Sequence, residues 1–230
     1  MKLTANEMGL QQLQPMFEAI SYVAEYVEPD AMNHVQRVSD YARFVAEYVL
    51  EWDSEETTRL ALAALLHDVG KTTIPRELLL RPGALTADER VYIRQHAHHG
   101  FNIIENVERT LVTNQIAFDE TLFSYAKQVA LYHHENFDGS GYPEGKAGND
   151  IPMVARVVKM VDVIDALMSV RPYKTAWPWK STRDELRRLA GSQFDPHLVD
   201  GLLHEEEEFI QLLASTHHKV SESLVLGAAR

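Results

Sequence analysis

Residues 60–68 read LALAALLHD, and Val69, Gly70 and Lys71 follow directly. Leucine and alanine are strong helix formers. Asp53 or Ser54 upstream can cap such a helix, and Gly70 is a natural stop residue. The stretch therefore predicts a helix over about 53–70 with an apolar body and with His67 and Asp68 at its buried end. Ionisable groups in an apolar interior cost several kcal/mol unless they find partners. What surrounds that end decides the fold.

Working outward, apolar spacing is helical nearly throughout and strand-like alternation is absent. Upstream, one helix is expected over about 9–27, ending near Pro29, and a second over about 30–51. The second carries Val38, Tyr41 and Val45 on one face, with His34 on the same stripe. Downstream of a turn rich in Pro75, Pro82 and Gly83, Thr86 and Glu89 form a capping box that opens a helix to about Asn106, with His96 and Gly100 one turn apart. A helix from about Thr121 carries Val129 and Ala130 into His133 and His134, then stops at the turn-forming loop 136–143. Pro152 opens a helix to about Ser169 on which Ile151, Ala155, Val158, Asp162 and Asp165 share a face. Short amphipathic helices over about 181–190 and 195–214 and a frayed tail complete the reading. The expected fold is an all-α bundle of about seven to nine helices, divided into a helical segment 1–28, a main domain 29–214 and a tail 215–230.

The chain of 230 residues has no cysteine, which excludes disulfides, thiolate metal sites and a cysteine nucleophile. Any metal must be held by His, Asp and Glu, donors that suit iron, manganese and similar ions. A formal charge of -12 argues against DNA or RNA polymers, whose phosphates are held by Lys and Arg. A small anionic substrate stays compatible if bound cations invert the local field. No stretch approaches the roughly 18 apolar residues of a membrane span, and the N-terminus has no basic start followed by an apolar block. A cytoplasmic protein is expected.

His34, His67, Asp68, His96, His133, His134 and Asp162 all fall on apolar helix faces or helix ends. Clustering around shared cations removes the burial penalty, and seven candidate donors exceed what one ion can use while leaving room for substrate. Two or more metals are expected. Successive helical residues point about 100° apart, so His67 and Asp68 cannot serve one ion alike, and a bridging Asp68 resolves the geometry. Two such metals can hold a bridging hydroxide as nucleophile and stabilise charge on a phosphoryl oxygen, which is the chemistry of phosphodiester hydrolysis.

HDVGK (67–71), HAHHG (96–100), HHENFDGSGYP (133–143), VDVIDAL (161–167) and RPYK (171–174), in this order, resemble the HD-GYP subgroup of HD-domain phosphohydrolases over about residues 29–214. The resemblance implies a helical cyclic-di-GMP phosphodiesterase with two or three iron or manganese ions, yielding pGpG and, in some members, GMP. It implies metal ligation by His34, His67, Asp68, His96, His133, His134 and Asp162, with Asp68 and Lys71 in catalysis and Lys71, Arg171 and Lys174 on substrate phosphates. Asp138, Gly139, Gly141, Tyr142 and Pro143 form the naming loop, which in the family is linked to contacts with diguanylate cyclases or other signalling proteins. Trinuclear members carry Glu four residues before the first His; here the position is Asp30, shorter by a methylene, which leaves a third metal open. Two other readings remain: a catalytically weak cyclic-dinucleotide sensor or interaction module, and a hydrolase of another cyclic dinucleotide such as cyclic GMP-AMP.

Other residues take structural readings. His98 and His99 are expected in solvent, Asp165 as an anchor for a ligand or a buried donor, and Glu205 to Glu208 as a solvated face. Trp177 and Trp179 are expected in the core, with stacking on a guanine as the alternative.

Overall fold

The computed structural model describes residues 5–25, 30–81, 83–170 and 175–227, and these form helices and turns with no strand. Among the described residues eleven α-helices follow one another: α1 (Ala5–Glu25), α2 (Ala31–Phe44), α3 (Ser54–Leu65), α4 (Arg76–Leu79), α5 (Ala87–Arg94), α6 (His96–Thr113), α7 (Glu120–Tyr132), α8 (Met153–Met168), α9 (Trp179–Leu189), α10 (Pro196–His204) and α11 (Glu206–Gly227). The all-α expectation holds. The count exceeds seven to nine because two predicted helices are each broken in two, and because the turn at 76–79 closes a helical turn of its own.

α3 is the central rod. Asp53 rather than Ser54 caps it, accepting from the Glu56 amide at 2.9 Å. From Thr57 to Leu65 every residue except Arg59 is buried, and each fully buried leucine among them is worth about 1.5–3 kcal/mol over its exposed state. α2 and α7 pack on this rod and α8 packs across α2 and α7, contributing Val38, Tyr41, Val129, Val158 and Val161 to the core. α1 closes another side with Leu10, Phe17 and Ala24 and donates the Ser21 hydroxyl to the Leu65 carbonyl. Residues 5–25 therefore pack on the same core as the rest.

Three departures from the expected boundaries shape the interior. The α3 helix stops at Leu65 rather than Gly70, and the chain continues in tighter turns, with Val69 N on Leu66 O and Lys71 N on Asp68 O, into a 3₁₀ turn at Val69–Thr73. The expected helix from Thr86 keeps its capping box, with both reciprocal bonds present, but breaks at Gln95, where Gln95 N bonds Tyr92 O three residues back. The expected helix over 195–214 breaks at Glu205, and α11 then runs on to Gly227 where a frayed tail was expected. Its Phe209 and Leu213 enter the core, with Phe209 against Tyr41, Phe44 and Trp179. Glu206 is not simply solvated, since it accepts from Trp179 Nε1 at 2.7 Å and pairs with Arg183. Trp179 is half-buried against the core, whereas Trp177 is exposed.

Gly70 lies where the turn after α3 meets the start of α6. A Cβ there would stand 1.9 Å from His96 O and 2.5 Å from Gly100 N, so only glycine permits this approach of two backbones. Gly70→Ala is expected to lower unfolding free energy by about 1–3 kcal/mol, the range for overpacking a fitted interior. Gly9→Ala, in α1 with open space around its Cα, is expected to raise it by about 0.5–1 kcal/mol. Chemical denaturation of the two variants checks both signs.

Candidate metal centre

Four of the seven predicted donors stand at helix ends. His67 follows the end of α3, His96 opens α6 after the break at Gln95, and His133 caps α7 with His134 next to it. Three of these imidazoles turn Nδ1 onto a main-chain carbonyl of the preceding turn: His67 onto Ala64 O at 2.8 Å, His96 onto Ile93 O at 2.8 Å and His133 onto Val129 O at 2.9 Å. A carbonyl only accepts, so Nδ1 carries the proton and Nε2 presents its lone pair to the interior.

Those nitrogens converge on Asp68. Its Oδ1 is 3.2 Å from His96 Nε2 and 3.6 Å from His133 Nε2, while its Oδ2 is 3.3 Å from His67 Nε2 and 2.7 Å from Lys71 Nζ. Asp68, His96, His133 and His134 form one group with donor atoms within 4.8 Å of one another, and His34, His67 and Asp162 form a second. The carboxylate of Asp68 thus stands between the two, one oxygen facing each. His34 and Asp162 come from helix bodies, α2 and α8, with His34 Nε2 3.7 Å from Asp162 Oδ1. All seven predicted donors are brought together in these two groups.

The arrangement fits divalent cations. Asp68 Oδ1 and the Nε2 atoms of His96 and His133 are buried without a hydrogen-bond partner, and facing lone pairs on imidazole and carboxylate repel unless a cation lies between them. Burial holds His133 below the usual imidazole range, and burial with its histidine neighbours holds His134 well below it. Both imidazoles are therefore neutral and able to ligate. Burial opposes charge on Asp68, yet Lys71 and His67 keep its carboxyl well below the ordinary carboxylate value. Imidazole and carboxylate donors suit transition metals over calcium or magnesium.

Behind the second group, Asp165 accepts from His34 Nδ1 at 2.8 Å. Arg37, buried behind it, holds Asp165 through Nε and through Nη2 at 3.1 Å, and Ser169 adds a bond at 3.2 Å. Burial opposes the Asp165 charge, but His34 and Arg37 bring its pKa to about 2. This carboxylate fixes the ring orientation of His34 and raises its basicity, the anchoring role expected for it. The same guanidinium takes Asp30, whose Oδ2 is 2.9 Å from Arg37 Nη2 and whose Oδ1 accepts from Asn33. Asp30 therefore pairs with Arg37 and belongs to neither donor group.

The loop after His134 is shaped by backbone constraints. A Cβ on Gly141 would stand 2.3 Å from Asn136 N, and Gly139 has φ 83°. Asp138 is exposed and accepts from Ser140 N at 2.9 Å, so it shapes the turn without reaching the donors. Glu135, 1% exposed, accepts from the Glu144 and Gly145 amides at 2.8 and 3.0 Å and ties the loop back beneath the site. Of the motif residues only Tyr142 touches the donors: its ring stacks on His134 at 4.6 Å and 21°, and it precedes a cis bond to Pro143. His99 meets Thr73 through Nδ1 at 2.5 Å, while His98 is exposed as expected. Arg171 and Lys174 lie outside the described residues.

Arg37 and Lys159 lie outside the motifs, and Glu135, though inside HHENFDGSGYP, shows there no sign of the amides that it holds. Arg37 could have been found as an arginine three residues after His34 on the inward stripe of α2. Lys159, one turn before Asp162, is lowered by burial against the opposing pull of Asp162 and Glu135, and it lies on a face that otherwise reads as core.

The family model described as HD domain matches residues 18–198. A cyclic di-GMP phosphodiesterase response regulator of Xanthomonas campestris is 37% identical over 188 residues, 82% of this chain and 47% of that protein. A 3'3'-cGAMP-specific phosphodiesterase of Vibrio cholerae is 38% identical over 182 residues, 79% and 33% of the two chains. A cyclic di-GMP phosphodiesterase of Thermotoga maritima is 33% identical over 195 residues, 84% and 49%. The chain spans half or less of the length of these relatives. The crystal structure of a cyclic GMP-AMP specific phosphodiesterase of V. cholerae has a TM-score of 0.58 at 17% identity, covering 85% of this chain and 49% of that one, a likeness of fold. Helical architecture, the His67-Asp68 pair at the heart of the donor groups and the matching span make this chain a member of the HD domain family.

Proposed function

We propose that the chain is a metal-dependent phosphodiesterase that hydrolyses cyclic-di-GMP to linear pGpG, with further cleavage to GMP left open. The observation that carries this reading is Asp68, one carboxylate set between two groups of inward-facing donors, three of them with Nε2 lone pairs fixed by main-chain bonds. Two ions, iron or manganese, would be held by Asp68, His96, His133 and His134 on one side and by His34, His67 and Asp162 on the other, with Asp68 shared. When bound, such metals lower the pKa of a water and stabilise phosphoryl charge. A third ion at Asp30 is not part of the reading, because Arg37 already holds that carboxylate and would repel it.

The protein's own residues supply the rest. Lys71 balances the charge on Asp68 at 2.7 Å and is within reach of a phosphate oxygen entering beside it. Arg171 and Lys174 are proposed as further phosphate contacts on the strength of the RPYK motif. Tyr142 keeps its proton, because burial and the nearby Asp68 charge push its pKa up, and it covers the His134 ring against water. Among the described residues no helix is long and apolar enough to cross a membrane, in keeping with a cytoplasmic enzyme. The loop around Asp138 and Ser140 is exposed and is the proposed contact for a diguanylate cyclase or another signalling protein. Similarity to a 3'3'-cGAMP-specific phosphodiesterase at 38% identity supports one second reading, hydrolysis of cyclic GMP-AMP by the same donors.

Anaerobically purified protein should contain bound iron or manganese and release pGpG or GMP from cyclic-di-GMP. Metal-loaded protein that turns over no cyclic dinucleotide would overturn the enzymatic reading and favour a sensor. Asp68→Ala should abolish turnover with the helical circular dichroism intact; wild-type activity in that variant would contradict the shared carboxylate. Asp165→Asn should weaken metal affinity by about 10- to 100-fold through His34, read by competition with a chelating dye, and unchanged affinity would remove Asp165 from the account.

A further inference from the structure

We infer that Arg94 is a substrate-orienting residue that holds the phosphate of the cyclic dinucleotide that is not being cleaved. The inference rests on the cyclic-dinucleotide reading above and extends it to a residue outside the seven donors and the matched motifs.

Arg94 ends α5, two residues before His96, and its Cζ lies 4.7 Å from the centroid of the Tyr142 ring. That ring also stacks on His134. The guanidinium is therefore positioned at the rim of the donor groups by an aromatic surface that itself rests on one of them. Contact with a ring leaves the N–H donors in the guanidinium plane available, because the attraction comes from charge over the π-cloud. A fork of such donors matches two oxygens of a phosphate.

Apart from Arg171 and Lys174, proposed above as phosphate contacts, the described cations near the site besides Arg94 are engaged elsewhere. Arg37 is committed to Asp165 and Asp30, Lys71 sits on Asp68, Arg156 sits on Asp195, and Lys159 is buried beside Asp162 and Glu135. Arg94 is exposed, and among the described residues no carboxylate pairs with it. A cyclic dinucleotide brings two phosphates, and a chain of net charge -12 repels both unless cations meet them. The phosphate at the donor groups is served there. Arg94 reaches the site through Tyr142 and pairs with no member of either group, which suits the second phosphate.

The test compares wild type, Arg94→Ala and Arg94→Lys as metal-loaded full-length chains. KM and kcat are measured for cyclic-di-GMP and for bis(p-nitrophenyl) phosphate, which has a single phosphate, and the Kd of the bis-phosphorothioate analogue of cyclic-di-GMP is measured by calorimetry. Loss of a charge-assisted bond of about 1.5–3 kcal/mol corresponds to roughly 10- to 100-fold. Arg94→Ala should raise KM for cyclic-di-GMP and Kd for the analogue by that factor. Metal content and the kinetics of bis(p-nitrophenyl) phosphate should stay at wild-type values, and Arg94→Lys should recover part of the loss. An unchanged Kd for the analogue overturns the inference. So does an equal fall in activity on both substrates with loss of metal, which would mark Arg94 as a support for Tyr142 and His134. Wild-type protein that binds the analogue through Arg94 yet hydrolyses nothing would uphold the contact and count against the phosphodiesterase reading alone.

Discussion

The hydrogen bond from an imidazole Nδ1 to a main-chain carbonyl at a helix end is the constraint on which the site depends. It occurs at His67, His96 and His133, and each time it fixes the tautomer and aims the other nitrogen inward. Carbonyls near helix termini have lone pairs to spare, so placing histidines there satisfies backbone and side chain together. The result is a convergence of lone pairs and one carboxylate that is unfavourable without a cation. The fold tolerates this because α3 is sheathed in apolar packing, and because Gly70 lets the turn after α3 press against the start of α6.

The other side of the site is built differently. His34 and Asp162 project from helix bodies, where no free carbonyl is at hand, and a carboxylate takes its place. Asp165 orients His34 and is in turn held by Arg37, so a buried cation sets the position of a donor without touching the donor groups. Removing either partner of such a buried pair typically costs about 3–5 kcal/mol, which makes α2 and α8 mutually dependent. The same arginine withdraws Asp30 from the donor groups. One residue thereby sets both the anchor of His34 and the partner of Asp30.

Much of this was legible in the sequence. Apolar periodicity located most helices, the capping box at Thr86 and Glu89 formed as read, and the seven donors were identified because ionisable residues on apolar faces demand an explanation. The breaks at Leu65, Gln95 and Glu205 were not legible. At Leu65 and Gln95 three-residue hydrogen bonds replace four-residue ones, and no glycine or proline marks the change at Gln95 or Glu205. Long-range pairs were equally hidden: nothing in the order of residues joins Arg37 to Asp165 or Glu135 to the amides at 144 and 145. Trp177 breaks the rule that large aromatics are buried, since it stands in a connection between α8 and α9 and not on an amphipathic face.

The central claim is that the two donor groups hold metal ions that share Asp68. Anomalous diffraction from crystals of the metal-loaded protein, collected above and below the iron and manganese edges, tests it most directly. The account predicts one anomalous peak in each group, with one oxygen of Asp68 on each ion and the imidazoles bound through Nε2. Full-occupancy crystals with no peak in either group, or with a single ion that Asp68 does not touch, would contradict it.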